Sequence, residues 1–322
     1  MDLAVIIILF LVGILLIVKG GDFFVDAASW IAEISGIPKL IVGATIVSLA
    51  TTLPEILVSL MAAAKGSVDM SIGNAVGSVT ANIGLIMGIS LVCIPAVIRR
   101  RDYAAKSALM LTAAGIIVVA GFMGEVNRVL AVLLLVVFAT FLWENVSSAR
   151  AAMKTQPAEE RPPKPEGKEI AMNLLKFVLG AVGIVVGAEL LVDNGSELAR
   201  MVGISERIIG VTLVAVGTSL PELVTTLTAI AKKQTSLSVG NIIGANIIDL
   251  TLILPLCSFL SGKALPITPA FARFDLPACL LVGCVALLPT LATKKFARWQ
   301  GVALLVIYLV YMFLTCTLGA AV

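Results

Sequence analysis

Residues 43–59 read GATIVSLATTLPEILVS, and residues 210–226 read GVTLVAVGTSLPELVTT. Each stretch is apolar around a single glutamate, which follows a proline and a pair of hydroxyl residues. The first copy is Thr51-Thr52-Leu53-Pro54-Glu55 and the second is Thr218-Ser219-Leu220-Pro221-Glu222. They lie 167 residues apart, and at that offset residues 22–82 align with 189–249 without a gap, 22 of 61 positions being identical. The identities include Val25/Val192, Asp26/Asp193, Gly43/Gly210, Thr45/Thr212, Gly73/Gly240, Asn74/Asn241 and Gly77/Gly244. A duplication of this length decides how the rest of the chain is read.

The surroundings of the repeat are those of a membrane protein. Of 322 residues, 59% are hydrophobic and only 13% charged, against roughly a quarter charged in soluble domains. A bilayer core needs roughly 20 apolar residues per helical span. Apolar runs between charge clusters give ten candidate spans, at 2–33, 38–64, 70–98, 104–123, 127–148, 171–196, 205–231, 236–261, 274–293 and 299–320. The expected fold is therefore an all-α integral membrane protein of ten transmembrane helices, arranged as two five-helix repeats. Residues 1–150 form the first repeat, 151–168 a cytoplasmic linker with four prolines and mixed charge, and 169–322 the second. Five spans is an odd number, so the two repeats enter the membrane in opposite directions. That arrangement is typical of secondary transporters, with substrate bound where the repeats meet.

Lysine and arginine set the orientation. With the N-terminus outside, sixteen of the assigned basic residues fall on the cytoplasmic side, among them Arg99–Arg101, Lys232, Lys233, Lys294 and Lys295. Six fall outside: Lys65, Arg128, Arg200, Arg207, Lys263 and Arg273. Both termini are expected outside, in the plasma membrane. The first apolar run lacks a basic leader and a clean cleavage site, so it reads as mature protein. The five cysteines sit in apolar segments without a Cys-x-x-Cys pair and read as small core residues. Histidine is absent, which removes the commonest proton carrier near neutral pH.

Glu55 is the only charge between Lys39 and Lys65, Glu222 the only one between Arg207 and Lys232, and Asp249 the only one between Lys233 and Lys263. An ionised group at that depth costs at least ~2.5–3.5 kcal/mol and belongs on an ion path or beside a partner. Each proline frees a carbonyl one turn back, and a cation can satisfy it. At helical spacing Ser48, Thr51 or Thr52, Glu55 and Ser59 form one polar stripe, repeated by Ala215, Thr218 or Ser219, Glu222 and Thr226. The following span of each half adds Asn74, Ser78 and Asn82, then Asn241, Ala245 and Asp249. Carboxylates, hydroxyls and freed carbonyls make an oxygen-rich site, and Ca²⁺ takes 6–8 oxygens at ~2.3–2.6 Å. A lone proline reads as a kink and a lone Gly-x-x-x-Gly as packing; the duplication at matching depth favours an ion site.

These residues resemble the calcium/cation antiporter superfamily, specifically its prokaryotic sodium/calcium exchangers, whose repeats carry Gly-Thr-Ser-x-Pro-Glu followed by Gly-Asn-x-x-Gly-Ser-Asn. The resemblance implies a ten-helix fold in which spans 2, 3, 7 and 8 build the site and spans 1 and 6 are long tilted helices that slide. It puts calcium ligands on Glu55, Glu222, Thr51 and Thr218. It puts sodium ligands on Thr52, Ser78, Ser219 and the carbonyls of Ser48 and Ala215, with Asn82 and Asp249 in the middle of the site. Three positions depart from the pattern: Ala50-Thr51-Thr52 for Gly-Thr-Ser, Val79-Thr80 after Ser78, and Ala245 where the second repeat usually has serine. The last removes a hydroxyl from one expected sodium position. The linker is too short for the calcium-sensing domains of animal exchangers.

The resulting expectation is a secondary antiporter that exchanges Ca²⁺ for Na⁺ by alternating access, electrogenically, with the two ions competing for one pair of carboxylates. A Ca²⁺/H⁺ antiporter and a K⁺-dependent exchanger remain alternatives within the same superfamily. A cation channel is disfavoured by the inverted repeat. An intramembrane protease is disfavoured by the lack of histidine and of Gly-x-Gly-Asp. The chain is expected to be no enzyme and to need no cofactor. It is expected to meet the lipid bilayer, Ca²⁺ and Na⁺, but no nucleic acid and no obligate protein partner.

Overall fold

The computed structural model describes residues 3–66, 68–93, 100–155, 165–201, 217, 219–269 and 271–317. Eleven helices and one short ladder organise them. Helix α1 covers Leu3–Ser35, α2 Lys39–Thr51, α3 Leu53–Ala64, α4 Val68–Cys93, α5 Arg100–Met123 and α6 Arg128–Thr155. Helix α7 covers Gly167–Met201, α8 Leu220–Ala231, α9 Thr235–Ser261, α10 Phe271–Thr293 and α11 Arg298–Thr317. Among the described residues eight of these are long and apolar enough to cross a membrane, nine if α2 and α3 form one span bent by 46°, and α8 is a shorter apolar helix. The protein is thus an all-α membrane protein, with eight or nine apolar spans among the described residues.

The helices run longer than the hydropathy reading at several ends. Helix α6 continues to Thr155 and α7 starts at Gly167, so helix extends into both ends of the expected linker; residues 156–164 lie outside the described residues. One strand pair was not foreseen: β1 (Glu125–Val126) pairs antiparallel with β2 (Leu265–Pro266). It ties the α5–α6 turn to the α9–α10 turn.

Two kinds of packing divide the molecule. Helices α4 and α9 are its most buried long segments. Helix α9 crosses α2, while α4 packs against α3 and α11. By contrast, α1 packs chiefly along α7, and its outward face keeps Ile8, Leu11 and Leu15 exposed. Glycines make that seam: a Cβ on Gly13 would sit 2.9 Å from the Gly187 carbonyl oxygen, and one on Gly20 2.8 Å from that of Gly180. Backbone meets backbone there, as small residues allow between membrane helices.

Candidate functional site

The site grows from the broken second span. Pro54 occupies the second position of α3 and has no N–H to return to the preceding turn. The chain bends at Thr52, whose N–H still donates to the Ser48 carbonyl over 2.9 Å. Glu55 then falls in the first turn of α3. Helix α8 starts the same way: Ser219 precedes it, Pro221 is its second residue, and Glu222 lies in the first turn. The unpaired N–H groups of a helix start favour negative charge nearby, so both carboxylates stand where the backbone welcomes them.

Helices α4 and α9 complete the surroundings. Each widens into a π-helical turn, α4 at Asn82–Met87 and α9 at Asp249–Ile253. The two turns open on residues 82 and 249, which correspond across the repeat. Such turns concentrate at functional sites.

Burial is nearly complete. Glu55 and Asn82 are 1% exposed, Glu222, Asp249, Ser48 and Thr52 0%, and Thr51 and Ser78 3%. Thr52 Oγ1 donates to Glu222 Oε1 over 3.2 Å, so a hydroxyl of one repeat meets the carboxylate of the other. Thr51 Oγ1 lies 3.2 Å from Asn241 Oδ1 and 3.3 Å from the Ser48 carbonyl. Asn82 Nδ2 donates to Asn246 Oδ1 over 3.2 Å. Asn74 Nδ2 donates to the Glu55 carbonyl over 3.1 Å and to Ser59 Oγ over 2.9 Å, which ties α4 to α3 beside the carboxylate.

What remains unpaired points to a ligand. Among the described residues, both carboxylate oxygens of Glu55, both of Asp249, Glu222 Oε2, Asn82 Oδ1 and Ser219 Oγ are buried without a hydrogen-bond partner. Glu55 lies within coulombic reach of Glu222 and Asp249, and Asp249 of Glu222. Oxygen atoms with lone pairs and no donors suit a hard cation. Among the described residues no three acidic or cysteine side chains close into a metal cage. Hydroxyls and carbonyls must therefore supply part of any coordination shell, and an open shell of that kind lets an ion leave again.

The residues expected from the sequence thus gather around two helix starts and two π-turns. Ser48 and Thr51 end α2, Thr52 sits at the bend, Glu55 opens α3, Ser78 and Asn82 lie on α4, Ser219 and Glu222 open α8, and Asp249 lies on α9. Thr218 and Ala215 lie outside the described residues. Asn241, expected on the polar face of its span, lies against Thr51; one further asparagine escaped the site expectation. Asn246 corresponds to Val79 across the repeat, so the duplication could not reveal it.

Comparison with known proteins agrees with this geometry. A family model described as sodium/calcium exchanger protein matches residues 5–146 and 172–317. The sodium/calcium exchanger MaX1 of Methanosarcina acetivorans is 30% identical over 95% of this chain and 97% of its own length. The inner membrane protein YrbG of Escherichia coli is 35% identical over 92% of each chain. A solved structure of the sodium-calcium exchanger NCX_Mj, soaked with Na⁺ and Sr²⁺, superposes with a TM-score of 0.82 at 29% identity, covering 97% of this chain and 99% of that one.

Proposed function

This chain belongs to the sodium/calcium exchanger family, and from that premise we propose that it exchanges Ca²⁺ for Na⁺ by alternating access, with Glu55 and Glu222 as the shared anionic pair. The observation that carries the reading is the meeting of two buried, incompletely paired carboxylates, one from each copy of the repeat. Ca²⁺ neutralises the pair with two charges; Na⁺ ions do so one at a time, so the two cargoes compete and cross in opposite directions. Oxygens of Thr51 and Thr218 complete the calcium shell. Thr52, Ser78, Ser219 and the carbonyls of Ser48 and Ala215 serve sodium, with Asn82 and Asp249 between them. The transport step makes and breaks no covalent bond and calls for no cofactor.

The proposed topology has ten spans in two inverted repeats, residues 1–150 and 169–322, joined by a cytoplasmic linker at 151–168. Helices α2 and α3 form span 2, and α8 is the inner part of span 7. Both termini face outward in the plasma membrane, as the basic residues indicate. No obligate protein partner enters the scheme.

The test is uptake of radioactive Ca²⁺ into proteoliposomes loaded with Na⁺, K⁺ or acidic buffer and diluted into choline medium. Uptake from Na⁺-loaded vesicles alone is expected. Uptake driven by acid loading, with Na⁺ inert, would favour the proton-coupled reading to which Ala245 lends weight.

A further inference from the structure

The conformation is asymmetric at one place where the sequence is symmetric. Helices α3 and α8 correspond residue for residue across the repeat, Leu53 with Leu220 and Ala64 with Ala231. Helix α1 corresponds to α7 over their last turns. Yet α1 lies along α8, whereas among the described residues α7 and α3 make no contact of that extent. A Cβ on Gly21 of α1 would meet Thr228 Oγ1 at 2.8 Å and Val224 Cγ1 at 3.0 Å. The stripe Leu220, Val224 and Thr228 is half-buried as a result. Its counterpart on α3, Leu53, Leu57 and Met61, is 48%, 57% and 57% exposed.

The charges follow the same asymmetry. Lys232, at the end of α8, places Nζ 2.7 Å from Asp26 Oδ1 and 3.3 Å from Asp22 Oδ1, both on α1. The counterpart of Lys232 is Lys65, at the end of α3; those of Asp22 and Asp26 are Glu189 and Asp193 on α7. Charge type is kept at all three positions. Lys65, Glu189 and Asp193 are nevertheless exposed and form no ion pair among the described residues. One clasp is shut, and its twin stands open with every charge retained.

We infer that Lys232–Asp22/Asp26 and Lys65–Glu189/Asp193 are alternate latches: the first holds α1 on α8 in the state seen here, and the second holds α7 on α3 in the opposite-facing state. The inference rests on the transport reading given above, because inverted repeats that exchange conformations reverse which side is sealed. The lysine bias places the shut clasp on the cytoplasmic side, so in the state seen here it is the inner end that is latched. Partly exposed ion pairs of this kind are weak. That suits a latch which must release in every cycle, and it makes each one a bias on an equilibrium, not a lock.

The test reads the latch without any ion gradient. A purified Lys65→Cys/Asp193→Cys double variant is oxidised with copper phenanthroline, and the disulfide between the two positions is quantified by peptide mass spectrometry. Adding Lys232→Ala should raise the cross-link yield about threefold, the scale of one surface ion pair acting on a two-state equilibrium. Asp22→Asn/Asp26→Asn should reproduce that rise, which covers the case of a Lys232 variant that fails to fold. An unchanged or lowered yield in the folded variants overturns the latch. A merely structural role for Lys232 would lower transport without raising the yield. Loss of the transport reading, by contrast, would come from wild-type vesicles that fail to exchange Ca²⁺ for Na⁺.

Discussion

Thr52 and Glu222, 170 residues apart, are joined by a hydrogen bond of 3.2 Å from the threonine hydroxyl to the glutamate carboxylate. The bond crosses between the repeats, so it orients the second carboxylate using the bend that Pro54 makes in the first. A hydrogen bond to a charged group contributes about 1.5–3 kcal/mol. Thr52→Val should therefore raise the KM for Ca²⁺ about tenfold or more, at 1.4 kcal/mol per decade, while Thr52→Ser stays near wild type. Glu222→Gln should abolish exchange altogether. Robust ⁴⁵Ca uptake by the Gln variant would remove Glu222 from the site.

The glycines of α9 make its crossing with α2 sensitive to a single added methyl group. A Cβ on Gly240 would run into the Leu40 carbonyl oxygen and come within 3.0 Å of the Ala44 nitrogen; one on Gly244 would meet Ser48 Oγ at 2.6 Å. The residues that correspond to Leu40, Ala44 and Ser48 across the repeat, at 207, 211 and 215, lie outside the described residues. Overpacking costs about 1–3 kcal/mol where side chains can yield, and backbone yields less readily. Gly240→Ala and Gly244→Ala should each lower the melting temperature in detergent by several degrees or prevent folding. An unchanged melting temperature in both would contradict the helix crossing described here.

That crossing marks how far the sequence can be read. Glu55, Glu222 and Asp249 were legible because an isolated charge inside an apolar run is costly, and because two of the three recur. Pro54 and Pro221 were legible as places where a backbone carbonyl is freed, but 38–64 and 205–231 read as continuous spans, and the helix starts at Leu53 and Leu220 come from the structure. The tightness of Gly240 and Gly244 against α2 was not legible, since it depends on which helix α9 crosses. The Asn82–Asn246 pair and the β1–β2 ladder were hidden for the same reason: each joins distant segments, and neither leaves a local pattern. Asp26, which the sequence marked only as a repeated residue, gains its meaning from Lys232.

Lys106 makes a further pairing of this sort. It is fully buried on α5, with its ammonium on the Glu144 carboxylate of α6, and Ser148 Oγ donates to the other oxygen over 2.8 Å. Removing one member of a buried ion pair costs about 3–5 kcal/mol, because the other charge is stranded, whereas apolar replacement of both is often tolerated. Lys106→Met should thus destabilise the protein more than Lys106→Met/Glu144→Leu does. Thermal unfolding in detergent gives the comparison, and a double variant worse than the single one would count against the argument.

Ala245 carries the prediction on coupling. It is fully buried on α9, one turn after Asn241 and one turn before Asp249, and it corresponds to Ser78, which is 3% exposed on α4. The first repeat thus offers a hydroxyl where the second offers a methyl group. A hydroxyl supplies one acceptor oxygen of the kind Na⁺ needs, whereas the proposed calcium shell rests on Glu55 and Glu222 and does not draw on this position. Ala245→Ser should therefore lower the half-saturating Na⁺ concentration for Ca²⁺ efflux several-fold and leave the KM for Ca²⁺ within about twofold, a difference of under 0.5 kcal/mol. Ser78→Ala should do the reverse for Na⁺. The measurement is Na⁺-dependent ⁴⁵Ca efflux from preloaded proteoliposomes, with folding checked by size-exclusion chromatography. If the folded Ala245→Ser protein keeps the wild-type Na⁺ dependence, position 245 does not face sodium, and the proposed division of the site between the two ions fails at that residue.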